Sequence, residues 1–205
     1  SKIRAEREIS TLADETFSPV FLRNGTVYGV SPRLRVDIVL NNLVGWAYTT
    51  GKVRLYSDGT PWRPLVHVED VCDAFLAAME APVQVVHGQV FHVGSNRENY
   101  QIRDLAEIVR SVVPGCQLEY ATDHGADGRT YIADFSKIQD MLPQFQPKWT
   151  AEAGARQLYK AYREVGLSLE EFTGSRYIRL KRIDDLLRTG RLNDSLRWQR
   201  APVTP

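Results

Sequence analysis

The sequence predicts an α/β fold built on a parallel sheet, and two observations lead there. Short apolar runs of the strand type recur, among them Val20-Phe21-Leu22-Arg23, Leu65-Val66-His67-Val68 and Val90-Phe91-His92-Val93. Between them lie longer stretches whose apolar residues repeat every three to four positions, the helical period. Alternating helices and strands are the order that a parallel sheet requires. Ligands of such sheets sit in the loops beyond the carboxyl ends of the strands.

Residues 2–15 read as an amphipathic helix, with Ile3, Ile9, Leu12 and Ala13 able to share a face. Val20 to Arg23 form a buried strand that runs out into Asn24-Gly25-Thr26-Val27-Tyr28-Gly29. Ser31-Pro32-Arg33-Leu34-Arg35 is a basic loop, and residues 36–48 make a helix that is apolar nearly all round. Asn41 and Asn42 interrupt its apolar surface. A buried amide needs a partner; Asn41 is expected to face solvent or local backbone, while a ligand is an equal reading for one of the pair. Val53 to Tyr56 alternate as a strand, and a helix over 69–80 ends before Pro82. Further elements are a strand at 90–94, a helix over 101–113, a strand at 117–120, a short helix from Asp134 to Met141 and a helix over 150–165. The tail from Arg176 interleaves basic residues with Ile178, Leu180, Ile183, Leu186 and Leu187, and Asp184 and Asp185 dilute its charge. It reads as a packing or oligomer helix.

Composition narrows the function. The 205 residues suffice for one large domain or two small ones. A hydrophobic content of 43% with 25% charged residues belongs to a globular chain, not a disordered one. Twenty-six basic against 25 acidic residues leave a net charge of +1. Nothing there draws the chain to nucleic acid or to a membrane surface, so any anion site is local. No apolar run has the length of a membrane span. Cys72 and Cys116 lack metal-type spacing, and Cys72 falls in an apolar helical pattern as a small core residue. With no disulfide framework, the expected compartment is the cytoplasm. The four histidines form no metal set. No Gly-x-Ser-x-Gly elbow and no phosphate-binding glycine loop is present.

The stretch that organises the chain is Trp62-Arg63-Pro64-Leu65-Val66-His67-Val68-Glu69-Asp70, entered through the turn Ser57-Asp58-Gly59-Thr60. Glu69 and Asp70 stand where a helix begins and complement its dipole. Arg63 carries a planar, permanent charge suited to phosphate, although alone it reads more simply as a surface ion-pair partner. Thr26, Asn42, Tyr56 with Arg63, and Arg129 in Asp127-Gly128-Arg129-Thr130-Tyr131 all lie in loops or at helix ends after strands. Two arginines, an amide and an aromatic ring suit a ligand with a pyrophosphate and a flat base, provided that they converge.

Four motifs in order carry a family resemblance: Ser1-Lys2-Ile3-Arg4-Ala5-Glu6, Leu22-Arg23-Asn24-Gly25-Thr26-Val27-Tyr28-Gly29, Arg63-Pro64-Leu65-Val66-His67-Val68-Glu69-Asp70 and Phe91-His92-Val93-Gly94. Over roughly residues 1–150 the chain resembles the extended short-chain dehydrogenase/reductases, and more narrowly the NAD-dependent nucleotide-sugar epimerases and dehydratases. The resemblance implies the carboxyl-terminal part of a Rossmann-type parallel sheet with a smaller substrate-binding α/β region. Residues 1–30 would be the last part of the Rossmann domain. Residues 31–150 would be mainly substrate-binding, with 65–95 returning to the Rossmann sheet, and 151–205 a helical tail.

The resemblance also implies roles. Lys2 matches the catalytic lysine that lowers the pKa of a tyrosine four positions earlier and bonds the nicotinamide ribose. That tyrosine and the glycine-rich loop are not among the 205 residues, so the chain is expected to be the carboxyl-terminal half of such an enzyme, inactive alone. Thr26 stands where the family has an asparagine beside substrate and nicotinamide. Asn42 and Arg63 match pyrophosphate contacts, Tyr56 the neighbour of the base, and Arg129 a second phosphate-binding arginine. The implied cofactor is NAD, with NADP left open; the implied partners are a nucleotide-sugar substrate, a second copy in a homodimer and the absent amino-terminal half. Two other readings stand beside this one. One is a non-catalytic NADP-linked binding or regulatory protein on the same fold; the other is a family reductase acting on a non-nucleotide substrate.

Overall fold

Strand β4 (Trp62–His67) stands between two hydrophobic cores. The computed structural model describes residues 1–55, 58–120 and 129–199. Successive side chains of a strand point to opposite faces, and in β4 both faces are buried. Leu65 joins a core with Tyr28, Leu40, Val44, Leu105 and Leu158, whereas Val66 joins another with Phe91, Val93, Phe135 and Ile138. Its parallel neighbour β2 (Thr26–Tyr28) divides in the same way: Val27 packs against the second core and Tyr28 belongs to the first. The register Thr26↔Leu65, Val27↔Val66 and Tyr28↔His67 keeps the two alternations in step.

The first core lies beneath α2 (Val39–Thr50), α5 (Ile102–Val112) and α7 (Ala151–Glu164), with β3 (Lys52–Leu55) paired in parallel to β7 (Gln117–Tyr120). Gly45 of α2 allows the ring of Phe172 to approach; a Cβ there would meet Phe172 Cε2 at 2.2 Å. Phe172 belongs to α8 (Leu169–Thr173), whose start is closed by reciprocal bonds between Ser168 and Glu171. The second core holds β1 (Phe21–Asn24) and its parallel partner β5 (Val90–Val93), covered by α3 (Val68–Glu80), the short α4 (Val83–Val86) and α6 (Ser136–Met141). A mixed α/β fold with parallel pairing is thus present, and β6 (Asn99–Gln101) adds one antiparallel strand to the edge of β4.

Several boundaries differ from expectation. The first helix, α1 (Lys2–Ser10), stops short of residue 15. Asp14 Oδ1 accepts hydrogen bonds from the backbone N–H groups of Thr16 and Phe17, at 2.7 and 2.8 Å, and this local turn competes with the helix. No residue of α1 is buried, and Ile3 is 70% exposed. α2 begins at Val39 rather than 36, because residues 32–37 turn back on its first turn. Cys72 is exposed, not a core residue. The inward stripe of α3 is Val71, Ala74, Ala77 and Ala78, and Cys72 falls beside it. β6, α4 and α8 are too short to leave a periodic signal. The tail forms α9 (Arg179–Arg188), which buries only Leu186. Among the described residues no helix is long and apolar enough to cross a membrane.

Candidate functional site

The entry to β4 is fixed from below. Asp58 Oδ1 accepts from the backbone N–H of Thr60 at 3.0 Å and from its hydroxyl at 2.7 Å. Gly59 adopts φ +75°, and its carbonyl accepts from the N–H of Arg103 at 3.0 Å. A Cβ at Gly59 would lie 2.6 Å from that of Arg103, so only glycine lets the turn sit on the start of α5.

Residues 129–133 run beside this entry. The backbone N–H of Trp62 donates to Thr130 Oγ1 at 3.0 Å, and the N–H of Tyr131 donates to the Trp62 carbonyl at 3.4 Å. The Asn99 amide holds Ala133 at both its N–H (3.0 Å) and its carbonyl (3.1 Å). The Arg63 guanidinium donates to the Trp62 carbonyl at 2.8 Å and to the Arg129 carbonyl, and it lies 5.6 Å from the centre of the Tyr131 ring. Residues 63 and 129, distant in sequence, therefore meet.

The other candidates sit at varying remove. Thr26 pairs with Leu65, one strand over and two residues beyond Arg63, or about 7 Å along the strand. Asn42 donates from Nδ2 to the Val36 carbonyl at 2.9 Å. Asn41 does not face solvent: it is buried, accepts from the N–H of Gly29 at 3.1 Å and donates to the Arg35 carbonyl at 2.8 Å. The two amides together hold the basic loop against α2. Lys2 is exposed in the first turn of α1. It shares a helix face with Glu6, four residues on, and Glu6 pairs with Arg23 of β1 at 2.5 Å. Tyr56 lies outside the described residues.

Around the far end of β4 and the start of α3 are buried polar side chains that the sequence shows only in part. His67 is fully buried; its Nδ1 accepts from the N–H of Glu69 at 3.2 Å, so the ring proton sits on Nε2 and is donated to Gln157 Oε1 at 2.8 Å. Asp70 stands in the first turn of α3 as expected of a helix-start acid, but it is buried and accepts from the backbone N–H groups of Lys148 (2.9 Å) and Trp149 (3.2 Å). Glu98 accepts from the N–H of Ala151 at 2.9 Å and the hydroxyl of Tyr100 at 3.1 Å. Burial raises the pKa of both carboxyls against the opposing pull of these donors. The Tyr28 hydroxyl, also buried, has no hydrogen-bond partner among the described residues. Burial first, then the charge of Glu98, raises its pKa.

Asn99 escaped the sequence reading, and Thr130 and Tyr131 entered it only as neighbours of Arg129. A Thr-Tyr pair directly after Arg129 is the one local signal for two of them; Asn99 leaves none. Among the described residues no group of His, Cys, Asp and Glu is placed to hold a metal ion. A groove between α3 and the 144–148 segment, lined by Asp73, Glu80 and Lys148 among others, contains none of the candidate residues.

Residues 1–94 match the NAD dependent epimerase/dehydratase family. A UDP-glucuronate 4-epimerase of Thermodesulfobacterium geofontis is 24% identical over 136 residues, 66% of this chain and 40% of that protein. The Oryza sativa subsp. japonica protein "Probable GDP-L-fucose synthase 1" is 32% identical over 127 residues, 61% of this chain and 37% of that protein. The structure of a UDP-glucose 4-epimerase of Thermotoga maritima with UDP-glucose aligns at a TM-score of 0.68 and 23% identity, over 81% of this chain and 53% of that one. The chain thus spans well under two thirds of the length of these proteins. The structural likeness concerns the fold, which is that of Rossmann-type epimerases. Over residues 1–94, somewhat under half of its length, this chain is similar to the NAD dependent epimerase/dehydratase family.

Proposed function

We propose that these residues form the substrate-holding portion of an NAD-dependent nucleotide-sugar epimerase or dehydratase. The observation that carries the reading is the meeting of Arg63 with the Arg129 backbone at the entry to β4. Two guanidinium-bearing residues brought to one edge, within a family of nucleotide-sugar enzymes, suit the two charges of a diphosphate. Thr26, one strand over, offers a hydroxyl to the sugar, and Asn42 offers an amide to the pyrophosphate.

Holding the nucleotide far from the reacting carbon is catalytically useful. Binding energy from the remote diphosphate and base positions the sugar and lowers the entropic part of the barrier. Lys2, exposed on the face of α1 that turns toward β1, fits a role as donor to a ribose hydroxyl. Its ammonium also stabilises a nearby tyrosinate. NAD, when bound, supplies reversible hydride acceptance. In this reading the acid–base tyrosine and the glycine-rich loop belong to sequence outside these 205 residues. The reading extends to a cytoplasmic homodimer, which sedimentation would test.

Titration calorimetry of the 205-residue chain with UDP and UDP-glucose tests it. Arg63→Ala and Arg129→Ala are each expected to weaken binding by about 1.5–3 kcal/mol. Unchanged affinity in both variants would sink the nucleotide reading. No NADH should form when the chain alone meets NAD⁺ and UDP-glucose; turnover would refute the need for further sequence.

A further inference from the structure

We infer that Thr130 and Tyr131 are positioning residues for Arg63, and that the 129–131 segment sets how strongly this site grips a diphosphate. The inference rests on the proposed role of Arg63. A free arginine side chain samples many rotamers, and an anion that captures it must offset the lost freedom. Here the order is built in beforehand. One terminal nitrogen of Arg63 is held by two backbone carbonyls, those of Trp62 and Arg129, and the Tyr131 ring lies alongside the guanidinium.

Both carbonyls depend on the same segment for their placement. The Trp62 carbonyl receives the N–H of Tyr131 as well as Arg63, and the Trp62 N–H is tied to Thr130 Oγ1. Trp62 is therefore stitched to residues 130 and 131 through both of its backbone polar groups, and Arg63 bridges the seam. Asn99, paired with Pro64 across β4 and β6, pins the far end of the segment at Ala133. Tyr131 is half exposed, so its ring serves the guanidinium more than a core.

The test is calorimetry of the full chain with UDP and with uridine, alongside urea unfolding. Thr130→Val and Tyr131→Leu are expected to raise the UDP dissociation constant about five- to tenfold. Uridine binding should stay constant. Thr130→Ser and Tyr131→Phe, which retain the acceptor and the ring, should restore UDP affinity. In an Arg63→Ala background neither Thr130→Val nor Tyr131→Leu should weaken UDP further, which a merely structural role would not produce. Should Thr130→Val fail to fold, Tyr131→Leu, a substitution at a half-exposed site, carries the same comparison. If Arg63→Ala weakens UDP while Thr130→Val and Tyr131→Leu bind normally, or weaken it additively with Arg63→Ala, positioning is overturned and the nucleotide reading survives. If Arg63→Ala itself leaves UDP affinity unchanged, both fall together.

Discussion

The imidazole of His67 lies flat against the indole of Trp149, with ring centroids 3.8 Å apart and planes 13° from parallel. The contact joins the end of β4 to the segment that leads into α7. Trp149 Nε1 also donates to Glu69 at 3.1 Å. Three successive groups of one segment, the backbone N–H groups of 148 and 149 and the indole, are thus held by residues 67–70. Trp149→Ala should lower stability by about 3 kcal/mol, and Trp149→Phe should recover over half of that because the stacked ring remains. Urea unfolding followed by circular dichroism gives both values. Equal losses for the two variants would show that the indole hydrogen bond, not the stack, holds the segment.

Asp70 makes a prediction about pH. Burial raises its folded-state pKa above the ordinary value of 3.8, so in the window between the two the folded chain binds more protons than the unfolded one. Stability from this group is therefore greatest in acid and declines as pH rises through the raised value. Each Asp70 oxygen accepts one backbone N–H. In Asp70→Asn one of those N–H groups faces an amide NH₂, at a cost of about 1–3 kcal/mol. The variant should be less stable at neutral pH and flatter in its pH dependence above about pH 4. A urea midpoint profile parallel to that of the parent would contradict the burial of this charge.

Tyr28 predicts a substitution that does no harm. Its hydroxyl is buried without a partner among the described residues, so Tyr28→Phe removes a desolvated group and keeps the ring that meets His67 edge-on at 5.2 Å. Stability should rise by about 1 kcal/mol or hold steady. A loss larger than that would reveal a buried water on the hydroxyl.

Gly29 predicts the reverse. It adopts φ +108°, and a Cβ would lie 2.3 Å from His67 Nε2. Gly29→Ala should cost about 3 kcal/mol or more, from backbone strain together with displacement of the His67–Gln157 bond. Gly51, at φ +70° with nothing among the described residues within 4 Å of its would-be Cβ, isolates the strain. Gly51→Ala should cost about 1 kcal/mol. Similar losses at the two positions would mean that His67 yields freely.

Periodicity made the larger elements legible. Leu105, Ala106, Val109 and Val112 are buried as their spacing on α5 requires, and β7 begins and ends where its alternating run does. Side-chain hydrogen bonds to the backbone obscured the helix ends: Asp14 stops α1, and Asn41 and Asn42 delay α2 by capturing the carbonyls of 35 and 36. Those bonds depend on which loop folds back, and a linear pattern does not encode it. Arg63 and Arg129 are recognisable as candidates from charge and position. Their adjacency is not, because it comes from a seam between segments 66 residues apart. Asp70 looks like an ordinary helix-start acid for the same reason: its partners stand 78 and 79 residues away.

The two-faced burial of β4 has a consequence for how this chain can change its length. Leu65 and Val66 serve different cores, so removing or adding one residue between Trp62 and His67 would exchange every later side chain between them. Leucine and valine would trade places, and His67 would leave its glutamine. The same deletion in the 31–37 loop would shift no strand face. Insertions and deletions are therefore confined to the outer loops, and the spacing from Arg63 to Asp70 is fixed by what lies on both sides of the strand.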